Sequence, residues 1–359
     1  MSLELEPSVP LAPLTTLELG GHAELFASAR TSAECLEALE YAEARGLDVT
    51  FLGGGSNVVV PDEGVAGLVV AVRSRGLHFE RGAGKSVTLR ALAGEPWEGV
   101  VEAAVSRELA GLECLTGIPG LTGATPIQNV GAYGQEVGDR LVEVEVFDRL
   151  ERRHRVLSRE DCELGYRDSR LKRDPTRFLV LSVSFELEEG GAPSLRYGEL
   201  TAACPEGASL AEVRRVVLAL RRKKSMVIDP ADPNRRSAGS FFTNPVVDAA
   251  TLARVVEIAK TRGLVSRGDE VPRYPAGDAF KLAAGWLIER AGISRGLRRG
   301  AVGVSDAHSL ALVHHGGGQT AELLALAAEI RAKVEAVFGV RLEAEPRLFG
   351  PAGAPALAP

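Results

Sequence analysis

The chain has 359 residues, 45% apolar and 25% charged, with a formal net charge of −6. That length leaves room for two or three domains of ordinary globular composition. The acidic balance lends no support to nucleic-acid binding, and no run approaches the roughly 18 uninterrupted apolar residues of a membrane span. The start, MSLELEPSVPLAPL, has no basic stretch ahead of an apolar run, so it does not read as a secretory signal. Cys35, Cys114, Cys162 and Cys204 lie far apart without a CxxC pair, which suits reduced thiols in a cytoplasm. The histidines show no ligand spacing; His314-His315 before GGG reads as a hairpin tip.

In chain order, TSAECLEALEYAEARG (31–46) opens with a Thr31…Glu34 capping box and closes at Gly46, a helix signature. A short strand is expected over 48–52 and another over 67–72. The following region is mostly β, with strands at SVTLRAL, LVEVEVFD and FLVLSVSFEL and one helix over 95–109. A second capped helix, 209–224, has Ser209 and Glu212 as its box. IDPADPNRRS (228–237) can be neither regular helix nor central strand and is taken as a domain boundary. Beyond it, helices are expected over 248–263, 278–292 and 320–339, with strands at HSLALVHH and VRLEAE (340–345). The tail GPAGAPALAP offers nothing to bury and is expected to be disordered. The fold class is α+β.

Two glycine-rich stretches stand out. In FLGGGSNVVVPDEG, Gly53, Gly54 and Gly55 follow a strand, and missing Cβ atoms let backbone amides approach a diphosphate, with Ser56 and Asn57 adding donors. The third glycine of a dinucleotide fingerprint is absent, as is a Gly-Lys-Ser/Thr. Alone, the loop reads equally as a plain turn or a phosphate cradle. The second stretch, GLECLTGIPGLTGATPIQNVGAYGQEVG (111–138), is too apolar for a linker and too broken for a helix or strand. It reads as irregular backbone against a flat, partly polar ligand, or else wrapped on the protein's own core; the two loops together favour a bound cofactor.

LGGGSNVVV, GIPGLTGATPIQNVGAYG, GYRDSRLK and AGSFFTNP occur in this order, and the chain resembles the UDP-N-acetylenolpyruvoylglucosamine reductase (MurB) family, type I branch, from about Thr15 to Gly350. The resemblance implies a FAD-binding fold of the vanillyl-alcohol-oxidase type in two α+β subdomains plus a C-terminal α+β substrate domain. The boundaries expected are 1–66 (completed by 346–359), 67–226 and 227–345. It implies non-covalent FAD, NADPH as reductant, a UDP-sugar substrate, and a cytoplasmic monomer without nucleic-acid or membrane partners. By similarity, Gly53 to Asn57 cradle the pyrophosphate, while Ile118, Pro119, Gly120, Gly123, Ala124, Gln128, Asn129, Gly131, Ala132 and Tyr133 line FAD. Residues 51–75 contain no His or Cys, in keeping with a non-covalent flavin.

The family's chemistry is hydride addition from flavin N5 to the terminal carbon of an enolpyruvyl ether, with protonation of the adjacent carbon. Ser240 matches the proton donor; a hydroxyl stays protonated at neutral pH, and AGSFF is not a G-x-S-x-G nucleophile elbow. Read from its own residues alone, Ser240 is first a turn or cap residue. Arg167 matches the residue that holds the developing enolate, since a guanidinium suits a carboxylate and keeps its charge. Glu345 matches the second stabiliser and must be protonated, or donate through a proton network, in turnover; Glu343 is the competing register. Tyr166, Tyr197, Lys224 (with Lys223 as alternative), Asn244 and His308 are expected to contact substrate, Tyr197 from a mobile loop. Another FAD-dependent oxidase or dehydrogenase of this fold, and a flavin-binding sensor without turnover, are the competing readings.

Overall fold

The computed structural model describes residues 3–265, 270–350 and Leu357. Its first sheet runs in the order Glu6–Pro10, His22–Ala29, Val65–Val72, Val49–Leu52. The last three strands are mutually parallel. Val65–Val72 is apolar almost throughout because both of its faces are covered. Leu68, Val70 and Val72 enter one core, while Val65, Val69 and Ala71 enter another. The strand belongs to this sheet along its whole length, so the first unit reaches Val72 and not residue 66. Helix Ser32–Glu43 packs on it through Cys35, Ala38, Leu39 and Ala42, with Thr31 accepting from Glu34 N at 3.1 Å as the cap.

The second sheet is antiparallel, in the order Arg153–Ser158, Leu141–Asp148, Phe178–Glu189, Ser86–Leu92, Leu77–Arg81. Helix Trp97–Val105 lies against it; Trp97 and Phe185 rings meet at 5.7 Å, and Trp97 Nε1 donates to Leu115 O at 3.0 Å. Val70 of the first sheet and Val100, Val144 and Phe185 of the second unit share one core, so these two units form a single packed body.

After the crossing at 228–237 comes a third unit. A four-stranded sheet, Ser237–Ser240, Ala311–His314, Val302–Val304, Arg298–Arg299, packs on helix Thr320–Phe338. Two expectations fail here. In 278–292 only Ala284–Arg290 is helical; Ala279–Leu282 is the middle strand of a small sheet between Val246–Val247 and Arg273–Ala276. Tertiary pairing on both sides overrides its helix propensity. VRLEAE (340–345) is not a strand. It crosses the chain after Ser240 through one isolated bridge, Phe242 to Ala344, flanked by Thr243 N to Glu343 O (3.0 Å) and Glu345 N to Phe241 O (2.9 Å). The closing strand is Arg347–Leu348, parallel to Val58–Val59 of the first unit. The tail 350–359 lies outside the described residues except for Gly350 and Leu357, and Leu357 packs partly buried against the C-terminal core. All four cysteines are free thiols, and among the described residues no helix is long and apolar enough to cross a membrane.

Asp148 pins the second sheet. Fully buried, it accepts from Leu150 N and Glu151 N, both at 3.1 Å, and from Arg177 Nη2 at 2.8 Å, with Arg155 beside it. Burial alone would raise its pKa, but the Arg177 and turn hydrogen bonds bring it down to about 2. Because the folded value lies below the unfolded one, near 4, this carboxylate stabilises the fold above about pH 4, and that stability fades as pH falls towards 2. Asp148→Asn should cost about 3 kcal/mol at neutral pH. It should also flatten the acid limb between pH 4 and 2, read by urea unfolding at several pH values; a variant with the wild-type acid limb would refute the assignment.

Candidate active site

A cavity of about 620 Å³ opens between the three units. The two glycine stretches form one wall together, because their backbones touch. A Cβ on Gly54 would stand 2.7 Å from Gly120 Cα, and Ser56 Oγ donates to Pro119 O at 3.0 Å. Gly55 has φ +63°, and a Cβ there would meet Leu14 O at 2.2 Å. Gly53, Asn57, Ile118, Gly123, Ala124, Gln128, Gly131, Ala132 and Tyr133 line the same space. Asn129 does not. It is buried behind the loop, where Nδ2 donates to Gly165 O at 2.9 Å and Oδ1 accepts from Gly138 N at 2.9 Å. Its amide has the donors and acceptor to staple three backbone segments, so it shapes the wall without facing the cavity.

Cations stand among the apolar side chains that make up most of the rest of the wall. Arg149, Arg167, Lys172, Arg221, Lys224 and Arg347 line it against a single carboxylate, Glu345. Burial lowers the pKa of Arg149, Lys172 and Arg347, and brings Arg221 down to about 10. Two buried polar atoms of wall residues, Arg221 Nε and Thr50 Oγ1, have no hydrogen-bond partner. Neither atom is open to the cavity; it is the lining cations that suit a ligand rich in anionic oxygens.

One end of the cavity gathers the expected reactive residues. Arg167 Nη2 donates to Gly131 O at 2.6 Å, and its Nε lies 3.2 Å from Glu345 Oε1, which also accepts from Gln128 Nε2 at 3.3 Å. Ser240, half-buried at the end of its strand, lines the same cavity one residue before the Phe241 carbonyl that accepts from Glu345 N. Thus Arg167, Ser240 and Glu345 share a wall; Glu343 is not on it.

Of the expected substrate residues, Tyr197, Lys224 and His308 line the cavity, whereas Lys223, Tyr166 and Asn244 do not. Tyr197 stands edge-on to Tyr133 at 5.5 Å, with Lys224 Nζ 5.7 Å above the Tyr133 ring. His308 is held to about 4 by burial and by neighbouring Lys224, Arg221 and Arg295, so it is a neutral imidazole at pH 7. Asn244 is spent on structure, since its Oδ1 accepts from Ala284 N at 2.8 Å, at the start of helix Ala284–Arg290. Tyr166 OH accepts from Asn244 N at 3.4 Å, and Lys281 Nζ lies 4.1 Å over its ring. Sequence reasoning missed Arg221, which sits in a charge run that reads as a solvated helix end. It also missed Thr16, whose N donates to Gly55 O (3.0 Å) and whose Oγ1 donates to Ser237 O (2.6 Å), joining the glycine cradle to the Ser240 strand.

This geometry has relatives. The pattern of the UDP-N-acetylenolpyruvoylglucosamine reductase C-terminal domain matches residues 230–349, and that of a FAD binding domain matches residues 23–156. The curated UDP-N-acetylenolpyruvoylglucosamine reductase of Thermobifida fusca is 46% identical, over 98% of this chain and 99% of its own. The chain belongs to this family. The reductase of Saccharopolyspora erythraea is 48% identical over 94% of each chain. The crystal structure of the MurB enzyme of Thermus caldophilus superposes with a TM-score of 0.64 at 25% identity, covering 97% of this chain and 99% of that one. The fold is therefore the FAD-binding fold of the vanillyl-alcohol-oxidase type joined to the MurB C-terminal domain.

The residues present fit FAD. Gly54, Gly55, Gly123 and Gly131 of the paired loops leave no room for a Cβ, and the cavity volume lies within the roughly 300–1,000 Å³ of small-molecule sites. Gly54→Ala would push backbone against backbone at Gly120, so the two loops must part. Protein carrying it should purify with little flavin absorbance at about 450 nm while its far-ultraviolet circular dichroism stays that of wild type. Full flavin occupancy in this variant would show that the loops do not form the cradle.

Proposed function

We propose that this protein is the FAD-dependent, NADPH-linked reductase that converts UDP-N-acetylenolpyruvoylglucosamine to UDP-N-acetylmuramate, a step of peptidoglycan precursor synthesis. Family membership along nearly the whole chain carries this reading. In its support, the Ser240 hydroxyl, the Arg167 guanidinium and the Glu345 carboxyl belong to residues that line one cavity. The first two units, meeting after Val72, hold FAD, and residues 227–345 form the substrate side, with Arg347–Leu348 completing the first unit. The reading carries with it a monomer working in the cytoplasm.

Bound FAD supplies the hydride and is renewed by NADPH. The protein's own work lies in charge and proton management. Arg167, held by the Gly131 carbonyl, presents a permanent positive charge to the substrate carboxylate, where the enolate's negative charge collects. Ser240 gives its proton to the carbon next to that carboxylate, a transfer from a weak acid to a strongly basic carbon. Glu345 would repel an enolate as an anion, so in turnover it carries a proton or relays one. Its place between Gln128 and Arg167 connects it to both the cavity wall and the charge. Lys224 and Tyr197 face the diphosphate and sugar of the nucleotide.

The test separates the two half-reactions under anaerobic conditions. Ser240→Ala should leave reduction of the flavin by NADPH nearly intact. It should slow reoxidation by enolpyruvyl-UDP-N-acetylglucosamine by at least about 100-fold, as expected for loss of a general acid. Equal losses in both halves would take the proton-donor role from Ser240. Fast reoxidation by oxygen with none by the enolpyruvyl substrate would make the protein an oxidase instead.

A further inference from the structure

The motif GYRDSRLK supplies Arg167, but its lysine is left without a role in the scheme above. Arg167 has φ +54°, a left-handed conformation that non-glycine residues seldom adopt. It occupies a tight turn closed by Gly165 N to Asp168 O (2.9 Å) and Asp168 N to Gly165 O (3.3 Å). Such a turn leaves the Arg167 carbonyl outside the pairing. Lys172 Nζ donates to that carbonyl at 2.7 Å. We propose that Lys172 is a positioning residue for the reaction, one that holds the Arg167 backbone in its left-handed turn and so keeps the guanidinium between Gly131 and Glu345. The proposal rests on the reading of Arg167 as the residue that stabilises the enolate.

Several features set Lys172 apart from a solvated lysine. It is half-buried and lines the same cavity as Arg167 and Glu345. Its own backbone is fixed, because Lys172 N donates to Ser169 Oγ at 3.0 Å and Ser169 Oγ donates to Ile127 O at 2.7 Å, on the glycine wall. Ser169 is fully buried, so this anchor is rigid. The result is a closed chain of contacts. The glycine wall holds Ser169, Ser169 holds the helical turn Arg170–Arg173, Lys172 of that turn holds the Arg167 carbonyl, and Arg167 returns to the wall through Gly131 O. Only one link in this ring is a flexible side chain gripping a strained residue, and that link is Lys172. Without it, only the two hydrogen bonds of the turn oppose the relaxation of Arg167 to negative φ, a change that swings its side chain off Glu345.

The experiment uses the FAD-loaded full chain and four variants: Lys172→Met, Lys172→Arg, Arg167→Ala and the Arg167→Ala/Lys172→Met double. Lys172→Met should keep FAD occupancy and NADPH reduction and slow reoxidation by the enolpyruvyl substrate about 10- to 100-fold, the scale of a small misplacement. Lys172→Arg, which keeps a donor within reach, should recover most of that loss. In the double variant the Lys172→Met effect should vanish, because a positioning residue has nothing to act on once its target is gone. If Arg167→Ala slows reoxidation but Lys172→Met does not, or if their effects multiply, the proposal for Lys172 fails while the function stands. The same holds if Lys172→Met loses FAD or slows both half-reactions alike, which would mark a structural role. If Arg167→Ala itself leaves reoxidation unchanged, the assignment of Arg167 fails and takes the Lys172 proposal with it.

Discussion

The contact between Arg167 and Glu345, 3.2 Å from Nε to Oε1, is the point on which the site depends. It joins a turn of the second unit to a segment that follows the last helix of the third. Neither segment has regular structure to hold it there. On one side, Arg167 is fixed by Gly131 O and by Lys172. On the other, Glu345 is fixed through its own amide on Phe241 O and through the Arg347–Leu348 strand, which runs back to the first unit. The same crossing that seats Glu345 seats Ser240, one residue before Phe241. A single small piece of chain pairing thus sets Ser240 near Glu345, and the Glu345 carboxylate in turn meets Arg167.

Around that contact the protein, acidic as a whole at −6, concentrates positive charge. Burial makes those cations costly, and it lowers the pKa values of Arg149, Arg221 and Arg347. A negatively charged ligand would relieve that cost, so stability given up by burying the cations would return as affinity for anions. Low-dielectric walls of one sign also focus the field, which strengthens attraction of a nucleotide diphosphate over what the net charge would permit.

Much of this was legible in the residues. Alternation marks SVTLRAL and LVEVEVFD, and the structure has strands at Ser86–Leu92 and Leu141–Asp148. The Ser209–Glu212 capping box starts helix Leu210–Lys223, whereas at Ser32–Glu43 only Thr31 caps and Glu34 accepts from Arg30 N instead of closing the box. What was not legible depends on partners distant in sequence. KLAA has the composition of a helix, and only flanking strands make Ala279–Leu282 extended. VRLEAE has the alternation of a strand yet meets only a three-residue crossing. Asn129 and Asn244 sit in motifs that read as ligand contacts, but an amide can equally satisfy buried backbone, and here both do. Thr16 and Lys172 act through backbone carbonyls, and a residue type that serves a carbonyl leaves no periodic trace.

The central claim is that Arg167, Ser240 and Glu345 surround one reacting carbon. A crystal structure of the protein with FAD and its enolpyruvyl nucleotide bound, the flavin oxidised so that turnover cannot begin, tests this most directly. The account predicts the Ser240 hydroxyl within about 3.5 Å of the carbon bearing the carboxylate, the reach required for proton transfer, with the Arg167 guanidinium on the carboxylate itself. A hydroxyl turned away from that carbon, with Arg167 and Glu345 gathered around some other part of the nucleotide, would contradict it.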